Sequence, residues 1–192
     1  MKTKEMIEIR WHGRGGQGAK TAAQLVAQVA MKEGKSSQGF PEYGPERMGA
    51  PIRGFTRLSE EGIRLHCPIE HPDVVVVLDD TLLGMPMITE GTTDETVFVI
   101  NSDADPAAVR KVLGISKGTV MSVAATKIAI DEIGRPIPNT PMIGALIKAT
   151  ECIQLESVKA DVKKKFLDKF GERVVQGNIR AIERAYEEVK AE

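Results

Sequence analysis

Seven residues, His12-Gly13-Arg14-Gly15-Gly16-Gln17-Gly18, constrain this chain more than any others. They follow a strand-like segment, Ile7–Trp11, and precede a helix-like one, Thr21–Val26. Four glycines between positions 13 and 18 leave the backbone bare. Such a backbone turns through positive φ and lets N–H groups approach a ligand closely. A helix starting behind it adds unpaired N–H groups and a partial positive charge. Strand, glycine loop and helix together make an anion site suited to phosphate. The residues expected to form it are Gly13, Arg14, Gly15, Gly16, Gln17 and Gly18, with a hydroxyl from Thr21. Arg14 and Lys20 add charge.

Gly13-x-Gly15-x-x-Gly18 fits the dinucleotide fingerprint, which also needs an acid about 20 positions on for the ribose. Lys35–Phe40, the expected zone, has none, and Glu42 lies just beyond. A Walker A loop requires Lys directly after the last glycine, but Ala19 intervenes before Lys20-Thr21. One extra helical residue turns a side chain by about 100°, away from the phosphates. Three readings of these residues stand: an anion site, an independent NAD or P-loop-like enzyme, or glycines serving only the turn.

The 192 residues suit one α/β domain spanning 1–192. Net charge is −1, which gives no global pull toward nucleic acid or anionic membrane. Residues 10–57 nevertheless carry eight Lys/Arg against three Asp/Glu, a local net of +5 around the glycine loop. Cys67 and Cys152 are the only cysteines, too few to ligate an iron–sulfur cluster or build a disulfide framework. A cytoplasmic location is expected, with no signal peptide and no apolar run of bilayer length. His66-Cys67-Pro68-Ile69-Glu70-His71 matches no usual zinc spacing, so no metal site is assigned.

Val74–Leu78 is a continuous apolar run, as in a central strand buried on both faces, with Asp79-Asp80 at its end. Further strands are expected at Lys35–Phe40, Thr96–Ile100 and Thr119–Val123. Helices are expected after the glycine loop, from Asp105-Pro106 to Leu113, up to Ile133, and over Met142–Ala149. Asp105 is placed as N-cap. Ile52–Leu58 and Ile63–His66 read as a hairpin turning at Ser59–Gly62. Two C-terminal amphipathic helices follow, one with Val158, Val162, Phe166 and Phe170 on its apolar face, the other with Val175, Ile179, Ile182, Tyr186 and Val189. The fold class is thus α/β: a mainly parallel sheet flanked by helices, with an inserted hairpin, a long Pro/Gly loop and C-terminal helices. That loop, Phe40–Pro51, holds three prolines and two glycines in twelve positions. Stiff loops with an aromatic and an arginine suit protein contacts, so Glu42, Tyr43, Glu46 and Arg47 are expected at an interface or active-site rim.

Taken with the glycine loop and Thr21-Ala22-Ala23, the segment Phe40-Pro41-Glu42-Tyr43-Gly44-Pro45-Glu46-Arg47-Met48-Gly49-Ala50-Pro51 resembles the gamma subunits of 2-oxoacid:ferredoxin oxidoreductases, most closely the pyruvate type. Pro72-Asp73, Asn139-Thr140-Pro141-Met142-Ile143-Gly144-Ala145 and Asn178 are weaker echoes. The resemblance implies a multi-subunit enzyme with alpha, beta and delta partners. Such enzymes decarboxylate pyruvate, pass the electrons to ferredoxin and form acetyl-CoA from coenzyme A. Thiamine diphosphate and iron–sulfur clusters are expected on the partners. This chain has no catalytic residue in that reading. It is a scaffold whose glycine loop is expected to take coenzyme A phosphates, with no activity when isolated and no nucleic-acid or membrane partner.

Overall fold

The computed structural model describes residues 6–42 and 49–192. Seven strands form one sheet in the order β2-β3-β1-β4-β5-β6-β7. They are β1 (Met6–Arg14), β2 (Ser36–Pro41), β3 (Pro51–Ser59), β4 (Val74–Val77), β5 (Val97–Asn101), β6 (Thr119–Val123) and β7 (Lys190–Ala191). The centre, β1-β4-β5-β6, is parallel. β3 runs against both β1 and β2, so β2 again points along β1. β7 closes the β6 edge antiparallel. Five of the seven strands therefore share one direction, as the alternation of strands and helices predicts.

Helices cover both faces. α1 (Ala19–Lys32), α4 (Ala125–Ile133), α5 (Asn139–Thr150) and α6 (Leu155–Glu188) enclose the larger core, which holds Ile9, Trp11, Val74, Val76, Val97, Val99 and Leu146. α2 (Pro86–Thr89) and α3 (Pro106–Leu113) lie over Val75, Val77, Phe98 and Ile100 on the other face. Successive strand residues point to opposite faces, so the unbroken valine run feeds both cores. α5 packs so closely on α6 that a Cβ at Gly144 would sit 2.1 Å from the Ile182 carbonyl oxygen. α6 is two helices joined at Gly171, whose φ of 76° and ψ of 169° interrupt it. This agrees with the two predicted amphipathic helices, except that Phe170 is 58% exposed rather than packed.

The predicted hairpin is corrected. β3 forms, but Ile63–His66 is not a strand. Both edges of β3 are taken by β1 and β2, which leaves no edge for a following strand. The hairpin partner is β2, across the Pro/Gly loop. Asp105 stands at the N-cap of α3 without capping by its side chain, which accepts from Lys190 Nζ at 3.0 Å instead.

Candidate functional site

β1 carries Gly13 and Arg14 to the carboxyl ends of the parallel strands, where α1 begins. Between them Gly16 has φ +99° and Gly18 φ +85°. Side chains rarely adopt such values, so the glycines are required by the turn itself. A Cβ at Gly18 would also lie 2.5 Å from Asn139 Nδ2 at the start of α5. Gly18 is the N-cap of α1 and offers no side-chain oxygen. The first-turn N–H groups of Ala19, Lys20 and Thr21 thus have no intrahelical acceptor. Lys20 and Thr21 are exposed there.

Part of the loop satisfies itself. Gly15 N–H donates to Ala50 O at 3.0 Å, and Gln17 N–H to Arg14 O at 3.1 Å. The Gln17 side chain folds back so that its Oε1 accepts from Arg14 N–H at 2.7 Å, while its Nε2 donates to Asp79 at 2.6 Å. Arg14 also turns to this clasp. Its guanidinium donates to Thr81 Oγ1 at 2.8 Å and lies 3.4 Å from Asp79. Burial works to raise the Asp79 carboxyl, but the bonds from Thr81 and Gln17 and the Arg14 charge outweigh it, so its pKa lies below the ordinary value. Asp79 remains ionised and joins β4 to the loop.

A crevice of about 490 Å³ opens beside this clasp at the ends of β4 and β5, lined by Gln17, Asp79, Asp80, Asn101, Ser102 and Asp103. Its three carboxylates repel phosphate. The approach left for an anion is the other side of the loop, at the bare N-terminus of α1 beside Asn139.

Beneath the loop, the second face of β1 buries polar groups. Arg10 and His12 are 1% and 0% exposed. Arg10 Nε–H donates to His12 Nε2 at 3.0 Å, and its Nη2 to the carbonyls of Ile88 and Glu90 at 3.2 and 2.7 Å. With Nε2 accepting, the proton of the neutral imidazole sits on Nδ1, which has no partner among the described residues. Burial first, then the charges of Arg10 and Arg53, pull the His12 pKa down to about 3. Arg53 lies opposite His12 on β3 and holds Glu42 in a two-pronged pair, with Nε donating at 2.6 Å.

The structure therefore brings Gly13, Arg14, Gly15, Gly16, Gln17 and Gly18 into one loop, with Thr21 in the first turn of α1. Glu42 lies near the His12 face, bound by Arg53. Tyr43, Glu46 and Arg47 lie outside the described residues. Asp79 and Asn139, which clasp and flank the loop, were not among the expected site residues. No group of three or more His, Cys, Asp or Glu suited to a metal occurs among the described residues.

The family model described as "Pyruvate ferredoxin/flavodoxin oxidoreductase" matches residues 8–188. The chain is 49% identical over 187 residues to "Pyruvate synthase subunit PorC" of Thermotoga maritima, covering 97% of this chain and 96% of the relative. It is 45% identical over 181 residues to "Pyruvate/ketoisovalerate oxidoreductases common subunit gamma" of Thermococcus kodakarensis, covering 94% and 96%. The crystal structure of the Thermotoga maritima pyruvate oxidoreductase subunit PORC superposes with a TM-score of 0.88 at 47% identity, over 98% of this chain and 99% of that one.

Proposed function

The chain belongs to the pyruvate ferredoxin/flavodoxin oxidoreductase family, and on that premise we propose that it is the gamma subunit of a pyruvate:ferredoxin oxidoreductase. The assembled enzyme converts pyruvate and coenzyme A to acetyl-CoA and CO2 and passes electrons to ferredoxin. The observation that carries this reading is the 49% identity, over 97% of this chain, to a pyruvate synthase subunit. The relative named as common to pyruvate and ketoisovalerate enzymes fits a chain that does not choose the 2-oxoacid.

In this reading residues 1–192 act as one α/β unit in the cytoplasm, beside alpha, beta and delta chains. Among the described residues no helix is long and apolar enough to cross a membrane. Thiamine diphosphate and the clusters belong to the partners, because Cys67 and Cys152 supply only two thiolates. Glu42, held by Arg53, serves with Tyr43, Glu46 and Arg47 at a subunit interface or the active-site rim.

The glycine loop takes a phosphate of coenzyme A. Three features favour the fit: the left-handed glycines, the uncapped first turn of α1, and open space beyond Gly16, where a Cβ would meet nothing within 4 Å. The loop would orient the phosphate with backbone N–H groups, and coenzyme A would supply the acyl-accepting thiol. Arg14 shares its charge with Asp79, so the backbone carries more of the contact than the guanidinium does.

Co-expression with the partner chains tests the assignment. The expected result is a stable iron–sulfur complex with pyruvate- and coenzyme A-dependent dye reduction, and no turnover by this chain alone. Turnover by the lone chain would overturn the subunit reading. Gly16→Val in the complex, which puts a side chain into the open space beside the loop N–H groups, should raise the KM for coenzyme A by about tenfold, the size of one charge-assisted contact, and leave that for pyruvate nearly unchanged. An unaltered coenzyme A dependence would remove the loop from the site.

A further inference from the structure

The bend in α6 leaves apolar surface uncovered. At Gly171 the backbone adopts φ 76° and ψ 169°, a state open to glycine essentially alone. Glycine is not there to admit a neighbouring element, since a Cβ would meet no atom within 4 Å. Its role is the bend itself. Beside it lies an opening of about 630 Å³ whose apolar walls include Ile133, Ile137, Phe166, Phe170 and Val174. The Phe166 and Phe170 rings meet edge to face, 5.6 Å between centroids and 84° between planes. Phe170 is nonetheless 58% exposed, and Ile130 and Leu167, on the two helices that border the opening, are 51% and 38% exposed. These are three of the seven large apolar side chains left exposed among the described residues, gathered on α4 and α6. Apolar surface collected in this way marks a contact site.

The charges around the opening sort by partner. Glu132 is held by Arg180 and Arg184 at 2.7 and 2.9 Å, and Asp131 by Arg184 at 3.4 Å. Arg135 and Arg173 line the same opening, exposed and with no carboxylate partner among the described residues. The acids are thus neutralised from within the chain and the free charge is positive. Asn178 is 4% exposed; its Nδ2 donates to Val174 O at 2.8 Å, while its Oδ1 has no donor among the described residues. An uncovered aromatic with unpaired arginines at its edge is the usual centre of a protein interface.

Three occupants are conceivable, and the observations separate them. A small molecule filling the opening would leave Ile130 and Leu167 in water, because neither lines it. A second copy of this chain, meeting the same face about a twofold axis, would bring arginine against arginine. A different chain with acidic groups covers the apolar surface and pairs the guanidiniums together. We propose that the face around Gly171 seats a partner chain of the oxidoreductase, through a surface segment that carries an aromatic or leucine-sized side chain beside a carboxylate. The proposal rests on the subunit reading given above. In it the apolar side chain enters beside Phe170, the carboxylate meets Arg173 and Arg135, and an N–H of the segment reaches Asn178 Oδ1.

The test uses the complex co-expressed with its partner chains and diluted in steps, with native mass spectrometry reading the fraction of this chain still bound. Phe170→Ser and Arg173→Glu should each release it at about tenfold higher protein concentration than wild type, the effect of truncating one interface anchor. Arg173→Lys, which keeps the charge, should fall between. Both positions are exposed, and circular dichroism of each variant chain alone should show an unchanged melting temperature. Hydrogen exchange adds a readout free of substitution: amides of residues 166–174 should exchange more slowly in the wild-type complex than in the lone chain. Phe170→p-benzoylphenylalanine, irradiated in the complex, should give an adduct with a partner chain at a segment containing Asp or Glu. An adduct with a second copy of this chain would overturn the proposal. So would equal retention of wild type, Phe170→Ser and Arg173→Glu with exchange at 166–174 as in the lone chain, and the subunit reading would survive that result. A wild-type chain that retains no partner at any concentration would overturn both.

Discussion

On one face of β1, Ile9 and Trp11 pack among the apolar side chains of α1 and the C-terminal helices; on the other, Arg10 and His12 are buried just as deeply among carbonyls, guanidiniums and carboxylates. The first face is held by area removed from water and by close packing. Even its polar atom is provided for, since Trp11 Nε1–H donates to Thr56 Oγ1 at 3.0 Å. The second face is held by hydrogen bonds; His12 Nδ1 already lacks a partner among the described residues, and each further bond lost would leave another costly unpaired group. The apolar face should therefore lose stability according to volume, whatever the pH. The polar face should lose it according to charge state.

The largest effect should come from Trp11→Ala, which leaves a cavity and an unpaired Thr56. Urea unfolding followed by far-UV circular dichroism should show a loss of about 3–5 kcal/mol. A loss below 1 kcal/mol would mean that packing does not dominate this face. Next comes acid sensitivity. His12 has its folded pKa near 3 against an ordinary value of 6.5. Above pH 6.5 both folded and unfolded chains are neutral at this residue, and its contribution does not vary. As pH falls from 6.5 toward 3 the unfolded chain takes up a proton that the folded one refuses, so stability declines by about 1.4 kcal/mol per unit. At pH 4.5 the loss is about 2–3 kcal/mol. His12→Gln keeps an acceptor for Arg10 and removes the titration, so its stability between pH 6.5 and 4.5 should be nearly flat. If wild type and variant share one pH profile, the contrast between the faces fails.

A smaller effect is expected where the polar face reaches the loop. Asp79→Ala frees Gln17 and Arg14 together, at a cost of about 1 kcal/mol. Its sharper signature is faster amide exchange at Gly15 and Gln17, with the sheet amides of β4 unchanged. The smallest effect belongs to a charge pair on neither face. Lys117 and Asp94 pair in full solvent, and Lys117→Ala should leave the melting temperature unchanged within error.

Much of the fold is legible because its signals are local. The valine run marks β4, Pro106 marks the start of α3, and Gly13–Gly18 mark the turn into α1. Sheet order is not local. Nothing in Ile52–Leu58 says that β1 and β2 will take both its edges, so the segment after Ser59 is wrongly given a partner. The same reason hides Asp79. An acid sought 20 positions beyond the glycines assumes that the next strand in sequence lies beside β1; here its parallel neighbour is β4. The clasp between Gln17 and Asp79 joins residues 62 apart in the chain. Arg10 and His12 alternate with Ile9 and Trp11 in the way of a half-exposed strand, and only the packing of α2 and β3 against them reveals that they are buried.

The two-residue strand β7 has a meaning in time. β6 offers a bare edge from the moment it forms until Lys190 and Ala191 arrive to pair with Ser122 and Met121. A ribosome adding roughly 5–20 residues per second needs several seconds to cover the stretch between them. During that interval the edge is a template for any extended strand nearby, another nascent copy included. Rare codons in the region of α6 would lengthen the interval, and a message cut short before Lys190 would make it permanent.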